Sequence, residues 1–258
     1  MALIEIRNLH KQFKQNKVLD GLNLDVNQGE TLVILGRSGT GKSVLLKHII
    51  GISKADSGTI DVGGARISDL EGPELYKAAI NMGMLFQGAA LFDSMTVEEN
   101  TGFFLSEHGD LQQNVWLSDQ EIRSRVKEAL HMVGLDGSEK KMPSELSGGM
   151  RKRAALARLI VYRPSILLYD EPTTGLDPIT SMQINQLIVQ TQKELKATSI
   201  VVTHDILSAL YVSDRLALMN QGKIAHIDEP NAFMKIDDPI IEFLRKTMDP
   251  TKVKELHV

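Results

Sequence analysis

Short apolar segments that recur along the chain constrain its fold more than any other feature. Residues 31–35, 166–169 and 199–203 are three such segments, each largely apolar along its whole length. Segments with helical spacing lie between them, and residues 184–188 place their apolar side chains on one helix face. Strands that are apolar on both faces and alternate with helices are typical of a parallel sheet covered on both sides. The sequence therefore predicts an α/β fold.

The remaining segments suggest two further parts. Residues 1–33 favour β structure, since apolar and charged residues alternate over 4–7. The same charges interrupt what would have to be the apolar stretch of a signal peptide, so we expect a mature cytosolic protein. Residues 88–158 are mainly helical in pattern, and Val126, Leu130 and Val133 share one helix face that Gly134 would end.

Composition excludes several classes of function. The formal net charge is -4, which does not support sequence-independent nucleic-acid binding, so we expect no nucleic-acid partner. The chain has no cysteine, which rules out disulfides, thiolate-bound metals and a thiol nucleophile. No apolar run approaches the roughly 20 residues of a membrane-spanning helix.

A glycine-rich motif between a predicted strand and a predicted helix carries the strongest chemical signal. Residues 36–43 read Gly-Arg-Ser-Gly-Thr-Gly-Lys-Ser, which fits G-x-x-x-x-G-K-[ST] in the context that this motif requires. Glycines let the main chain wrap around a polyphosphate, and the N–H groups at the helix start supply fixed donors. Lys42 would lie beside the β- and γ-phosphates, and the Ser43 hydroxyl would bind Mg²⁺. The alternative is a chance glycine-rich turn.

Two further motifs follow predicted element boundaries. Asp170 and Glu171 end an apolar strand, at the sheet edge where α/β proteins bind ligands. Asp170 suits a water-mediated contact to Mg²⁺, and Glu171 suits the orientation or deprotonation of water; the alternative is a strand-terminal turn before Pro172. Residues 146–149 read Leu-Ser-Gly-Gly and open an alanine-rich helix. Ser147 would cap that helix. The helix start could bind phosphate, or the cap could have a structural role alone.

Three single residues have both a structural and a functional interpretation. Gln87 and His204 each follow a predicted strand, and each could be an ordinary strand-end residue or part of a site at the sheet edge. Phe13 could be a core residue of the first sheet or a platform for a purine ring. Taken alone, each residue favours the structural interpretation.

In type and order these motifs resemble those of the ATP-binding subunit of ABC transporters, over nearly the whole chain. That family has a phosphate loop, a glutamine loop, a Leu-Ser-Gly-Gly signature, a strand ending in Asp-Glu, a Leu-Asp loop and a switch histidine. The resemblance implies a P-loop NTPase fold with a RecA-like parallel sheet and an N-terminal antiparallel β subdomain. The core would comprise residues 1–87 and 159–228, with an inserted helical subdomain at 88–158 and a C-terminal helical tail at 229–258.

The resemblance also implies ATP and Mg²⁺ as cofactors, hydrolysis coupled to transport, and a head-to-tail homodimer. The residues implied to contact ATP are Phe13, Gly36, Arg37, Ser38, Gly39, Thr40, Gly41, Lys42, Ser43 and Val44. Those implied to contact ATP of the other subunit are Ser147, Gly148 and Gly149, with Asp177 at the dimer interface. The implied catalytic residues are Glu171, His204 and Gln87, and the implied metal ligands are Ser43, Gln87 and Asp170.

Finer features look like the ATPases of MCE-type lipid transporters, the Mla-type systems. They are residues 87–97 with Asn100, residues 143–154 with Met150 in place of glutamine, and residues 175–180. This subgroup implies phospholipid transport at the cytoplasmic face of the bacterial inner membrane, with an integral-membrane permease, an MCE-domain protein and a small accessory protein as partners. The alternatives are a small-solute importer ATPase and a soluble mechanochemical ABC protein. The latter typically needs a long coiled-coil insertion or tandem ATPase halves.

The C-terminal part predicts one more helix. Asp238 and Pro239 form a helix start, and Ile240, Phe243 and Leu244 would make an apolar stripe. That stripe could dock on the chain's own domain. By resemblance, the tail after Met248 would touch a neighbouring subunit.

Overall fold

Two units that alternate along the chain make up the structure, a computed structural model that describes residues 2–110 and 113–248. The first unit combines the residues up to 70 with those from 200 onwards, and the second contains residues 71–199. The predicted division into a core, a helical subdomain and a tail remains a prediction.

The helices and strands follow one another in this order. The first unit begins with β1 (Ala2–Phe13), β2 (Asn16–Asn27), β3 (Thr31–Leu35), α1 (Lys42–Ile49), β4 (Ser57–Val62) and β5 (Ala65–Arg66). The second unit contains α2 (Gly72–Ala79), β6 (Met82–Leu85), α3 (Val97–His108), α4 (Asp119–Met132), α5 (Gly148–Ile160), β7 (Ile166–Asp170) and α6 (Pro178–Leu195). After β8 (Thr198–Thr203) come α7 (Ile206–Val212), β9 (Arg215–Asn220), β10 (Lys223–Asp228), α8 (Pro230–Phe233) and α9 (Pro239–Met248).

An antiparallel sheet with the order β2-β1-β4-β5 forms part of the first unit. The alternation over residues 4–7 explains its one buried face, since Ile4 and Ile6 are fully buried while Glu5 and Arg7 are exposed. Ile4 pairs with Val62 in β4 across the ladder. The predicted N-terminal β structure is confirmed.

Parallel strands occur in both units, as the apolar segments predict. In the first unit β3 lies parallel to β9, and in the second β6 lies parallel to β7. β10 returns antiparallel to β9 through a hairpin at Gln221 and Gly222, whose φ angles of 47° and 72° suit a tight hairpin turn. The sheet that contains β3, β9 and β10 is therefore mixed, because the edge hairpin adds the antiparallel strand β10 to the parallel pair. Every residue of β3, β7 and β8 is buried.

Local capping sets the helix boundaries in the second unit. Thr96 and Glu99 form a reciprocal capping box at the start of α3, and Ser118 and Glu121 form another at the start of α4. Gly134, with φ of 66°, follows the end of α4 as expected. Within residues 2–110 and 113–248, none of the helices combines the length and the apolar composition of a membrane-spanning helix.

The last described helix, α9, starts where the sequence predicts. Asp238 Oδ1 accepts a hydrogen bond from the main-chain N–H of Ile240 at 2.8 Å. Ile241 is fully buried, whereas Phe243 is 53% exposed. The predicted stripe is thus only partly buried. Ile241, which lies beside the stripe, is the α9 residue that is buried in the first unit. The tail after Met248 lies outside the described residues.

Candidate nucleotide-binding and catalytic site

The loop between β3 and α1 is built around two glycines that no other residue could replace without displacement of neighbours. A Cβ at Gly36 would lie 2.7 Å from the main-chain oxygen of Met219. A Cβ at Gly41 would lie 2.8 Å from that of Val18, and the φ of Gly41 is 103°. The two glycines therefore let the loop pack closely against β9 and β2, which fixes a main-chain cradle whose N–H groups can face phosphate.

Lys42 places a cation at this cradle. Its side chain is only 5% exposed, and its ammonium donates to the carbonyl oxygens of Gly36 at 2.8 Å and Arg37 at 3.2 Å. The residue that caps α1 is Gly41, so no side chain caps the N-terminus of this helix. A fixed ammonium beside an uncapped helix start is suited to an anion with several charges.

Two other predicted site residues belong to the same unit. Phe13 ends β1 and is 48% exposed, with Lys11 Nζ 5.4 Å from its ring centroid. It is therefore not a core residue, and its ring is available for stacking. His204 is exposed directly after β8. It lines a cavity of about 440 Å³ together with Gly36 and Arg37, so the structure brings the histidine to the start of the glycine-rich loop.

In the second unit, Asp170 is the last residue of β7 and Glu171 comes directly after it, as predicted. Asp170 is 5% exposed and Glu171 is 8% exposed. Glu171 has a φ of 47°, a left-handed conformation that is uncommon for a residue with a side chain and often marks functional sites. Thr174 Oγ1 donates to Glu171 Oε2 at 3.1 Å, which orients the carboxylate.

A buried lysine, Lys152 of α5, contacts both predicted catalytic segments of this unit. Its Nζ donates to the main-chain oxygen of Gln87 at 2.5 Å and to that of Glu171 at 3.4 Å. Burial lowers the pKa of this ammonium below its usual range, while the charges of Asp170 and Glu171 act in the opposite direction. The sequence alone did not indicate a role for this residue.

The segment that follows Gln87 is held from two sides. The fully buried Asn100 accepts a hydrogen bond from Phe92 N at 2.8 Å and donates to the main-chain oxygens of Phe92 and Met95. Arg158 donates to the main-chain oxygens of Ala89 and Ala90 at 3.0 and 2.6 Å. These contacts fix the main chain next to the exposed Gln87 side chain.

The Leu-Ser-Gly-Gly motif forms the start of α5, as predicted. Ser147 is exposed, and its Oγ accepts a hydrogen bond from Met150 N at 3.3 Å. Asp177 caps the neighbouring helix α6, where its Oδ1 accepts from Ile179 N and Thr180 N, both at 3.0 Å. Hydrogen bonds from the side chain and main chain of Thr180 chiefly lower the pKa of Asp177.

The two helix starts touch at Gly149. A Cβ there would lie 2.6 Å from Thr180 Cγ2. The methyl group cannot simply rotate away, because Thr180 Oγ1 donates to Asp177 Oδ2 at 2.5 Å. Gly149 therefore has a packing role that the sequence analysis did not anticipate.

We expect Gly149→Ala to lower the free energy of unfolding by about 1–2 kcal/mol, because overpacking costs more than the helix propensity gained from alanine. The double variant Gly149→Ala/Thr180→Ser removes the methyl group and keeps the hydroxyl, so it should recover most of that loss. Urea unfolding of the two variants, with Thr180→Ser alone as the control, measures both effects. Equal loss in the single and double variants would contradict this packing argument.

The residues present fit a magnesium ion that is bound mainly by phosphate and water. Among the residues that the structure describes, no group of three or more histidine, aspartate or glutamate side chains could hold a metal ion. The ligand set implied by the resemblance contains a single carboxylate, that of Asp170, with the Ser43 hydroxyl and the Gln87 amide. Mg²⁺ typically has few protein ligands and keeps water and substrate oxygens.

Comparison with known proteins agrees with this arrangement. The family described as ABC transporter matches residues 19–174. The ATP-binding protein MlaF of the intermembrane phospholipid transport system of Haemophilus influenzae is 39% identical over 254 residues, which cover 98% of this chain and 94% of that protein. The probable ribonucleotide transport ATP-binding protein mkl of Mycobacterium leprae is 40% identical over 238 residues. That match covers 92% of this chain and only 67% of the mycobacterial protein.

A solved structure matches at the level of the fold. It is the dimeric structure of an ATP-binding cassette in a post-hydrolysis state bound to ADP and Pi, with a TM-score of 0.79 and 31% sequence identity. The match covers 88% of this chain and 98% of that one. The chain belongs to the ABC transporter family, as an ATPase whose cofactors are ATP and Mg²⁺.

Proposed function

We propose that this chain is the ATPase subunit of a membrane transporter that moves phospholipid between membranes. The observation that carries the proposal is the match to the MlaF protein, which extends over 98% of this chain and 94% of that relative. The Mycobacterium leprae relative named for ribonucleotide transport is as similar in identity, but the chain covers about two thirds of it. A small-solute transporter is therefore the second candidate.

In this proposal the first unit binds the nucleotide. The main-chain N–H groups of residues 36–43 and the Lys42 ammonium hold the phosphates, since both lie in a cradle that admits no side chain at Gly36 or Gly41. The exposed ring of Phe13 stacks on adenine. His204 contacts the γ-phosphate, which agrees with its place beside Gly36 and Arg37.

The second unit supplies the hydrolytic groups. Glu171 orients the attacking water and accepts its proton, with its carboxylate held by Thr174. Asp170 and Gln87 of this unit, with Ser43 of the first unit, would hold Mg²⁺, which would neutralise charge on the phosphates. Catalysis then consists mainly of positioning and charge stabilisation.

We also propose a head-to-tail homodimer in which Ser147, Gly148 and Gly149 contact ATP bound to the other subunit. Ser147 and Gly148 are exposed at the start of α5, where helix N–H groups favour an anion. Asp177 caps α6 beside them and lies at the same interface in this proposal. Two identical composite sites follow from the two-fold symmetry, and ATP shared between the surfaces favours the closed form.

A groove in the second unit is our candidate docking surface for the permease. It has a volume of about 660 Å³ and lies between α3 and α4, with the apolar Phe103, Ile122 and Val126 in its lining. Five acidic side chains also line it, against two basic ones. A basic, amphipathic cytoplasmic segment of an integral-membrane permease fits this charge pattern. In this proposal the chain lies at the cytoplasmic face of the bacterial inner membrane.

Purification of the tagged chain from detergent-solubilised membranes tests the proposal. We expect a permease and an MCE-domain protein to co-purify, with a small accessory protein as a further expected partner. A solute-binding protein in place of the MCE-domain protein would support the second candidate. Recovery of the chain without any membrane protein would contradict both.

Charge reversal in the groove tests the docking surface separately. Glu107 lines the groove and is exposed, so Glu107→Lys should reduce the amount of co-purified permease several-fold because it opposes a basic partner. Glu74→Lys, an exposed position on α2 outside the groove, is the matched control. Equal permease recovery with both variants would exclude this surface.

A further inference from the structure

We propose that Lys152 is a positioning residue for ATP hydrolysis, which ties the main chain of Gln87 to that of Glu171. The inference rests on the proposed roles of those two residues. In that proposal Lys152 does not bind the nucleotide. The inference gives it a role that it exerts only through Gln87 and Glu171.

The geometry of the ammonium group carries the inference. Lys152 is 5% exposed, and one Nζ atom donates to Gln87 O at 2.5 Å and to Glu171 O at 3.4 Å. These acceptors are 65 and 19 residues away along the chain. A buried cation is costly unless it is paired and hydrogen-bonded, and here both bonds go to loops that hold predicted catalytic side chains.

The main chain at Glu171 gives a reason for such support. A φ of 47° is unfavourable for a residue with a side chain, and such conformations persist only where the surroundings hold them. Thr174 fixes the carboxylate end of this residue, and Lys152 binds its main-chain oxygen. Loss of the ammonium would let the peptide relax and shift the carboxylate from the position that hydrolysis requires.

The hydrogen bond from Lys152 to Gln87 is distinct from those that Arg158 donates to the segment after Gln87. Arg158 lies on the same helix, yet it binds the main-chain oxygens of Ala89 and Ala90, beyond Gln87. Of these two basic residues of α5, Lys152 is the one that bonds to the main chain of both catalytic segments. A substitution there should therefore affect the chemical step rather than the binding of nucleotide, whose cradle belongs to the first unit.

The test is a steady-state ATPase assay of the full chain with Lys152→Met, which keeps the length of the side chain and removes its donors and charge. We expect kcat to fall about 10–100-fold, the cost of a small misplacement of catalytic groups. The KM for ATP and the affinity for ATP should stay within about twofold of the wild type. Lys193→Met, at an exposed lysine of α6, is the matched control and should leave both parameters unchanged.

A second variant separates positioning from a general loss of structure. Lys152→Gln restores N–H donors without the charge, so its kcat should lie between those of the wild type and Lys152→Met. Unchanged kcat in Lys152→Met would overturn the inference, as would a parallel loss of kcat and ATP affinity in both variants. If Lys152→Met does not fold, the kcat and KM of Lys152→Gln decide the question.

Failure of the proposed function gives a different result. In that case the wild type itself would lack ATPase activity, or Glu171→Gln would remain fully active. If both of those proteins behave as proposed and Lys152→Met keeps its kcat, only the inference about Lys152 is wrong.

Discussion

Glu171→Gln is expected to lower kcat about 10²–10⁴-fold while ATP remains bound, because it removes a general base and keeps the shape of the side chain. The glutamine oxygen can still accept the hydrogen bond from Thr174, so the side chain should keep its orientation. Single-turnover hydrolysis with radiolabelled ATP measures the chemical step, and equilibrium binding measures the affinity.

The same variant reports on the composite site. With hydrolysis blocked, ATP should hold two subunits together, and light scattering should detect a dimer that ADP does not support. Glu74→Gln, at an exposed position on α2, is the control and should hydrolyse ATP normally. A strictly monomeric ATP-bound Glu171→Gln protein would contradict the homodimer, and normal turnover would contradict the role of Glu171.

Lys42→Ala is expected to abolish ATP turnover, because it weakens the binding of the phosphates and removes the cation that stabilises their charge during hydrolysis. The ammonium is fixed by the carbonyl oxygens of Gly36 and Arg37 and is 5% exposed, so little of its orientation has to be arranged on binding. Charge-assisted hydrogen bonds are worth about 1.5–3 kcal/mol each, which predicts a loss of affinity of at least about tenfold.

A titration with a fluorescent ATP analogue measures this loss, and circular dichroism checks that the variant is folded. Lys47→Ala is the matched control, since Lys47 lies on the same helix α1 but is exposed at its last turn. We expect the control to bind ATP normally. Equal affinity of Lys42→Ala and Lys47→Ala would show that the loop does not bind phosphate through its lysine.

Much of the fold could be predicted because its signals are local. The apolar segments at 31–35 and 166–169 became the buried strands β3 and β7, and the Asp238-Pro239 pair marked the start of α9. Ser147 likewise caps α5 where its sequence context indicates. Each of these depends on the spacing or type of neighbouring residues, which a single sequence displays.

The contacts of Lys152 and Arg158 could not be predicted in this way. Their acceptors lie up to 69 residues away and are main-chain oxygens, which every residue has. No residue type or spacing therefore marks the pairing. The exposure of Phe13 was equally undetermined, because the end of a strand can face either the core or solvent.

For Asp177 the sequence does contain a local signal of a helix start. Aspartate before Pro178 is a typical helix start, and the structure shows the cap directly. The resemblance had assigned this residue to the dimer interface alone. Its capping bonds are a second reason for an acidic residue at this position.

The contact between Gly149 and Thr180 limits how related sequences can diverge. A Cβ at Gly149 would lie 2.6 Å from Thr180 Cγ2, so α5 has no space for a methyl group there unless Thr180 of α6 loses its own. Substitutions at positions 149 and 180 should therefore occur together in related sequences. Where alanine occurs at 149, we expect serine or a smaller residue at 180. An alignment of related sequences should therefore show correlated substitutions at these two positions, which are 31 residues apart.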